Sequence, residues 1–324
     1  DVRIMDDPIS KMPPLIMEEN GKKINIHGSG FSISFDKFSG LIEKYQYNAL
    51  GLISKGPIEN FWRAPTDNDA IYQAEVWEKE RLNHLSRRIS AIETEQLFRQ
   101  AIRIKVNTVI APCSLKPLFD TTVAYTIFGN GEVEVKTHIK PRREIESLPR
   151  IGLQLRMPKD FNQFGWYGRG PHENYIDKKE SALIGVYRGS VDEQFENYAM
   201  PQENGNKCGV RWASLTDSNG LGLLFIGRPD FNISVSHYTT ENLTSAKHTY
   251  ELVKSDNTIV NIDHSQAGLG SASCGPDTLE KYRVLCKETE YAFIMKPYAR
   301  NNGTEMNLLR QDRAGFKTLP ENPA

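Results

Sequence analysis

Val123-Ala-Tyr-Thr-Ile-Phe-Gly-Asn-Gly-Glu-Val-Glu-Val-Lys-Thr137 decides the fold. Val123, Tyr125 and Ile127 alternate with small or polar residues, and Val133, Val135 and Thr137 repeat the pattern after Gly129-Asn130-Gly131. Period two puts successive side chains on opposite faces of a strand. The Asn-Gly pair predicts a tight turn, because both residues adopt positive φ readily. The same alternation returns at Phe31, Ile33 and Phe35, at Ile102, Ile104 and Val106, and at Ile151, Leu153, Leu155 and Met157. It continues at Ile233 and Val235, at Tyr282, Val284 and Cys286, and at Tyr291, Phe293 and Met295. Helical spacing is confined to Tyr72–Leu85, where Val76, Trp77, Leu82 and Leu85 stand among Glu and Lys. Many strands with turn residues between them predict an all-β antiparallel sandwich rather than a βαβ fold.

With 324 residues, 39% hydrophobic and 25% charged, the chain can bury an ordinary core. Forty basic and 41 acidic side chains leave a formal charge of -1, which selects neither nucleic acid nor an anionic membrane as partner. No apolar run approaches the ~20 residues of a membrane span. Asp1-Val2-Arg3-Ile4-Met5 lacks the basic flank and apolar run of a signal peptide, so a targeting segment would lie upstream, and cytoplasm and periplasm both stay open. Cys113, Cys208, Cys274 and Cys286 have neither C-x-x-C nor zinc-ligand spacing and are read as free thiols.

Four stretches carry the chemistry. Asn60-Phe61-Trp62-Arg63-Ala64-Pro65-Thr66-Asp67-Asn68-Asp69 sets polar side chains and an Arg beside two aromatics. Aromatic faces stack on sugars and Asp/Asn side chains bond ring hydroxyls, yet an Arg–Asp clamp fixing the loop is the favoured reading. Gly165-Trp166-Tyr167-Gly168-Arg169-Gly170-Pro171-His172-Glu173-Asn174-Tyr175 offers His172 and Glu173 as an acid/base pair, but adjacent strand residues point apart. Pro201-Gln202-Glu203-Asn204-Gly205 reads as a hairpin turn, with Arg211 and Trp212 on the strand after it. Asp263 to Asp277 contains a Gly/Ser-rich loop, Gly268 to Pro276, which lacks the strand-to-helix context of a phosphate loop. The histidines are not spaced as a metal set, and no Gly-x-Ser-x-Gly elbow occurs.

Together these stretches resemble the small-chain domain, the last domain of glycoside hydrolase family 2 β-galactosidases. Phe61 to Asp69 is similar to the family's opening hallmark, and Phe35-Asp36-Lys37-Phe38-Ser39-Gly40 to its initial strand and turn. Gly168 to Tyr175 resembles Gly-x-Gly-Pro-x-Glu-Asn-Tyr, and Pro201 to Gly205 with Cys208-Gly209 resembles Pro-x-Glu-Asn-Gly…Cys-Gly. The resemblance covers residues 22–297 in family order. It implies a large antiparallel supersandwich of the galactose mutarotase-like kind, bounded as connector 1–20, domain 21–297 and tail 298–324.

It also implies a role. The parent hydrolyses terminal β-galactosides with a retaining pair of glutamates in an upstream barrel, so no catalytic residue is expected in this chain. Implied partners are the upstream domains of the same enzyme, galactosides and further copies of the parent. Mg²⁺ or Na⁺ would belong to the barrel, with no cofactor or metal here. Two loops are expected to face the substrate: Asp69, Ala70 and Glu75 in one, Ser271, Ser273 and Cys274 in the other. Family members carry a Trp near the Cys274 position, so the departure implies a wider or more polar subsite. Trp62, Arg63, Asp67, Asn68, Trp166, Arg169, His172 and Glu173 are expected to contact carbohydrate or fix loops. Two alternatives share the fold. One is a stand-alone aldose epimerase drawing on His172, Glu173, His237 and His264. The other is a carbohydrate-binding module lined by Trp62, Arg63, Trp166 and Trp212.

Overall fold

The structure, a computed structural model, describes residues 9–300; the end of the tail and residues 1–8 of the connector lie outside them. A first meander comprises β1 (Ile16–Glu19), β2 (Lys23–Gly28), β3 (Phe31–Asp36), β4 (Leu41–Tyr47), β5 (Leu50–Ile53) and β6 (Lys55–Asn60). Helix α1 (Gln73–Lys79) leads to a second meander of β7 (Leu85–Phe98), β8 (Ala101–Pro112), β9 (Phe119–Phe128) and β10 (Val133–Pro141). The rest of the chain adds β11 (Arg150–Pro158), β12 (Gln163–Gly170), β13 (Leu183–Ser190), β14 (Lys207–Thr216) and β15 (Leu221–Ser236). After α2 (Thr240–Ser245) come β16 (Asn257–Gln266) and β17 (Thr289–Ala299). All ladders are antiparallel, and they join into one curled sheet in which β6 links the first meander to β11.

Alternation works as expected. β3 reads buried–half-buried throughout, and Phe31, Ile33 and Phe35 enter a core shared with Ile102, Ile104, Val106, Val123, Tyr125 and Ile127. Burying each such side chain contributes roughly 1.5–3 kcal/mol. The long strand β15 bends at Arg228-Pro229-Asp230. Its first half pairs with β17 and its second half with β16, which turns the sheet over the core.

Several expectations are corrected. The 123–137 hairpin forms, but its loop has three residues: Gly131 N–H donates to Phe128 O, Phe128 N–H donates to Glu132 O, and Gly131 alone takes positive φ at 86°. A turn followed by one left-handed residue matches the strand twist without straining Asn130. Tyr282, Val284 and Cys286 form no strand; the segment holds a 3-10 turn at Glu280–Tyr282 and a single bridge, Leu148 to Val284. The 72–85 helix stops at Lys79, because Arg81 turns left-handed (φ 54°) before a short 3-10 turn at Leu82–His84. Asn204-Gly205 is no hairpin turn either, since β12 lies between β13 and β14. Residues 16–19 of the connector form an edge strand paired with β2.

Candidate functional site

The four motifs meet at one end of β11, β12 and β16. There a cleft of about 460 Å³ is lined by Thr66, Asp67, Asn68, Asp177, Lys178, Tyr198, Gln202, Glu203, Leu269, Gly270 and Ser273. Its wall is the late loop after β16, held by three side chains from elsewhere in the sequence.

Arg63 is the first. Its side chain is fully buried. Nε and Nη2 donate to Asp69 Oδ2 and Oδ1 at 3.0 and 2.7 Å, while Nη1 and Nη2 donate to the carbonyls of Ala267 and Gly268 at 2.6 and 3.0 Å. The guanidinium also sits 5.3 Å from the Trp77 ring centroid. Only a planar fork can serve two loops at once in this way. Asn68 is the second: Nδ2 donates to Gly270 O at 3.0 Å, and Oδ1 accepts from Ser273 N and Oγ at 2.9 and 2.5 Å. Asp177 is the third, accepting from the backbone N–H groups of Leu269 and Gly270 at 2.9 and 2.7 Å. Gly270 takes φ +66°, and a Cβ there would lie 2.4 Å from Thr278 Oγ1, so glycine is required.

The opposite wall comes from the other two motifs. Glu173 is buried, accepting from Lys178 Nζ at 3.0 Å, from Gly205 N at 2.9 Å and from the Tyr198 hydroxyl. Gln202 exchanges two 3.2 Å bonds with Asp67, donating to its carboxylate and accepting from its backbone N–H. Glu203 accepts from Arg150 Nη2 at 2.7 Å and Gln266 Nε2 at 3.2 Å. Asp263 lies behind Glu203, with Oδ2 3.2 Å from the same Arg150 nitrogen but no hydrogen-bond donor on either oxygen. Two carboxylates thus share one buried guanidinium. Burial pushes Asp263 up to about 7, Arg150 opposing the rise and Glu203 adding to it.

That shift has a thermodynamic consequence. The folded state holds the Asp263 proton more tightly than the unfolded chain, where an aspartate titrates near about 3.9. Stability from this group is therefore fully present below about pH 4 and is lost as pH rises through about 7. Urea unfolding of wild type and Asp263→Asn at pH 5 to 8 should show the wild type losing ground to the variant with rising pH; a constant difference would refute it.

Several expected residues lie elsewhere. Asp69 does not line the cleft: it is 2% exposed, because it is the counterion of Arg63. Trp166 is buried between Phe164 and Tyr187, with Lys207 Nζ 5.2 Å from its ring, and Trp212 is buried as well. With Arg63 also buried, the lining suggested for a binding module at these residues is not available to a ligand. Trp62 is half-buried, packing edge-on against Trp77. Arg169 fixes its own loop, donating to Lys179 O and Ala182 O at 2.9 and 3.0 Å. His172 is exposed beside Ser181 while Glu173 turns inward, so the two do not stand together as a pair. Ala70, Glu75, Ser271, Ser273 and Cys274 are exposed, and of these Ser273 lines the cleft. All four cysteines are free.

Sequence reading missed Asp177, Tyr198 and Gln202 as site residues. Asp177 follows Glu-Asn-Tyr by two positions and would have been found only by asking what satisfies the N–H groups of a glycine loop. Among the described residues no group of three or more His, Cys, Asp or Glu could hold a metal ion. No helix there is long and apolar enough to cross a membrane.

An antiparallel all-β domain whose motifs close on one polar cleft at the strand ends is the class that fold and site define. The chain belongs to the β-galactosidase small chain family, which it matches over residues 27–295. It is 32% identical over 291 residues to the β-galactosidase of Priestia megaterium, covering 88% of this chain and 27% of that protein. The Actinobacillus pleuropneumoniae β-galactosidase is 32% identical over 278 residues, covering 86% and 27%; that of Kluyveromyces lactis is 30% identical over 299 residues, covering 87% and 29%. The chain thus spans about a quarter of the length of these relatives, which carry further segments beyond it. Among solved structures it is similar to a galactose 1-epimerase from Lactobacillus acidophilus, with a TM-score of 0.47 at 8% identity, covering 88% of this chain and 98% of that one.

Proposed function

We propose that this chain is the closing domain of a β-galactosidase that hydrolyses terminal β-galactosides, with the late loop and its cleft facing the catalytic part of the enzyme. The observation that carries this reading is the convergence of all four family motifs on one cleft. Three separate side chains, Arg63, Asn68 and Asp177, hold its wall in place. Exposed apolar residues stand beside each cleft segment: Ile71 and Tyr72, Ile176, Met200 and Leu279. Exposed apolar side chains on the segments that build the cleft suit a docking face for the rest of the polypeptide. Within the cleft, Asp67, Asp177 and Glu203 are each engaged in the bonds that build it, which suits a shaping role rather than acid/base work.

The test is hydrolysis of an aryl β-galactoside by the chain alone and mixed with the separately expressed upstream part. Silence alone with activity on mixing supports the reading; turnover by the chain alone overturns it. The exposed Cys274 gives a second check. Cys274→Trp in the full enzyme should change KM for a disaccharide by several-fold, since one stacked aromatic contributes about 0.5–1.5 kcal/mol. Unchanged KM and kcat would place this loop away from the substrate.

A further inference from the structure

Behind the cleft wall, one guanidinium stands between two carboxyl groups that differ in their access to water. Arg150 Nη2 donates to Glu203 Oε1 at 2.7 Å and lies 3.2 Å from Asp263 Oδ2. The side chains of Arg150 and Asp263 are 0% exposed, whereas that of Glu203 is 5% exposed and lines the cleft. The strand register brings them together: Arg150 and Gly152 on β11 stand opposite Gln266 and Asp263 on β16. A Cβ at Gly152 would lie 1.9 Å from Asp263 Oδ1, so glycine is what leaves room for that carboxyl group.

The hydrogen bonds show which carboxyl group Arg150 serves. Glu203 also accepts from Gln266 Nε2 at 3.2 Å, and its backbone N–H donates to Ala64 O at 3.1 Å. Asp263 accepts no hydrogen bond from the protein on either oxygen, and the buried Nε and Nη1 of Arg150 find no acceptor. A buried carboxylate without donors is costly, so this arrangement suits a neutral Asp263, in keeping with a group that burial pushes up to about 7.

The other groups around the pair hold their charge near neutral pH. Tyr291 on β17 and Tyr175 after β12 are kept neutral by burial, well above the usual phenol range. His264, next along β16, stacks on the Tyr291 ring, and burial lowers its pKa, so it loses its proton before Asp263 does. Glu59 on β6, whose charge reaches Tyr291, is paired with Arg87 at 2.9 Å. β15 sets the uncharged Asn232 opposite Asp263.

Loss of the Asp263 proton leaves two carboxylates and one guanidinium in a site closed to water. Arginine stays charged throughout this range, and one cation offsets only one of two like charges. Asp263 has no route to solvent. Glu203 has one, into the cleft where Lys178, Tyr198 and Gln202 also stand.

We propose that Arg150 is a pH-operated latch on the cleft wall: with Asp263 protonated it holds Glu203 back, and once Asp263 ionises it turns to Asp263 and Glu203 swings into the cleft as a free carboxylate. Across neutral pH the cleft thereby gains one negative charge and one hydrogen-bond acceptor. That favours hydroxyl or cationic groups on a ligand and disfavours anionic ones. The latch belongs to the chain itself and does not rest on its role in a larger enzyme.

The test is a pair of crystal structures of the full chain at about pH 5.5 and about pH 8.5, either side of the Asp263 midpoint, with an NMR titration over the same range. At the lower pH, Arg150 should bond Glu203. At the higher, it should bond Asp263, with the Glu203 carboxylate turned outward. The carboxyl carbons of Asp263 and Glu203 and the amides of residues 202–205 should move together, with one midpoint near about 7. In Asp263→Asn, which cannot ionise, Glu203 should stay latched at the higher pH and residues 202–205 should not respond. An Arg150–Glu203 bond that persists in the wild type at about pH 8.5 overturns the proposal, as does a response of residues 202–205 that survives Asp263→Asn. The wild-type comparison needs no substitution, so a variant that fails to fold cannot hide the outcome.

Discussion

Replacing Arg63 by alanine should destabilise the chain by about 3–5 kcal/mol, the cost of stranding one member of a buried ion pair. Asp69 would remain 2% exposed with its main counterion gone, and the carbonyls of Ala267 and Gly268 would lose their donors. The measurement is urea unfolding at pH 7, read as a lower midpoint with unchanged slope. Arg63→Lys should recover less than half of the loss. One ammonium cannot bond Asp69 through two atoms and still reach two carbonyls on another loop. A lysine variant as stable as wild type would mean that charge alone, without the fork, holds the loops. The arrangement also predicts how the loss spreads: proteolysis should first reach the chain at residues 267–277, because Arg63 ties that segment down.

The second large effect belongs to the late loop itself. Asp177→Ala removes both acceptors for the Leu269 and Gly270 N–H groups. Hydrogen bonds to a charged group contribute about 1.5–3 kcal/mol, so the loop should sample open positions far more often. In the full enzyme, KM for a disaccharide should rise roughly tenfold or more while kcat changes less, since the loop shapes binding rather than chemistry. Asp177→Asn should recover part of this through its one remaining oxygen. A fall in kcat with KM unchanged would instead place Asp177 in the chemical step and contradict the role given to this chain. Stability should drop only modestly, because Asp177 is partly exposed.

The two variants separate two kinds of support. Arg63 acts from the buried floor, and its loss is read in folding. Asp177 acts from the cleft wall, and its loss is read in substrate binding. Asn68 lies between them, tied to Gly270 and Ser273.

Much of this molecule could be read in one dimension. Period-two alternation at 31–35, 102–106, 123–137, 151–157 and 291–295 fixes strands and their inward faces, because a strand repeats every two residues regardless of its partner. The Arg–Asp clamp in Phe61 to Asp69 was legible too, since both charges lie six residues apart on one turn. Alternation failed at 282–286, where no neighbouring strand is present to pair with, and strand pairing is a tertiary event. The helix ended early for a similar reason: a left-handed Arg81 was needed to turn the chain into β7.

What only the tertiary structure decided is which polar residues face a ligand and which serve as internal supports. Asn68 and Ser273 are 205 positions apart, and Asp177 and Gly270 are 93 apart, so no local pattern links them. Asp69 and Trp166 carry the residue types of a sugar site, yet both are buried, the one against Arg63 and the other between Phe164 and Tyr187. Residue type sets what a side chain can bond, and a sequence records that directly. Burial depends on what the rest of the chain brings alongside, and here that is settled by ladders between strands distant in sequence, such as β10 with β17 and β6 with β11.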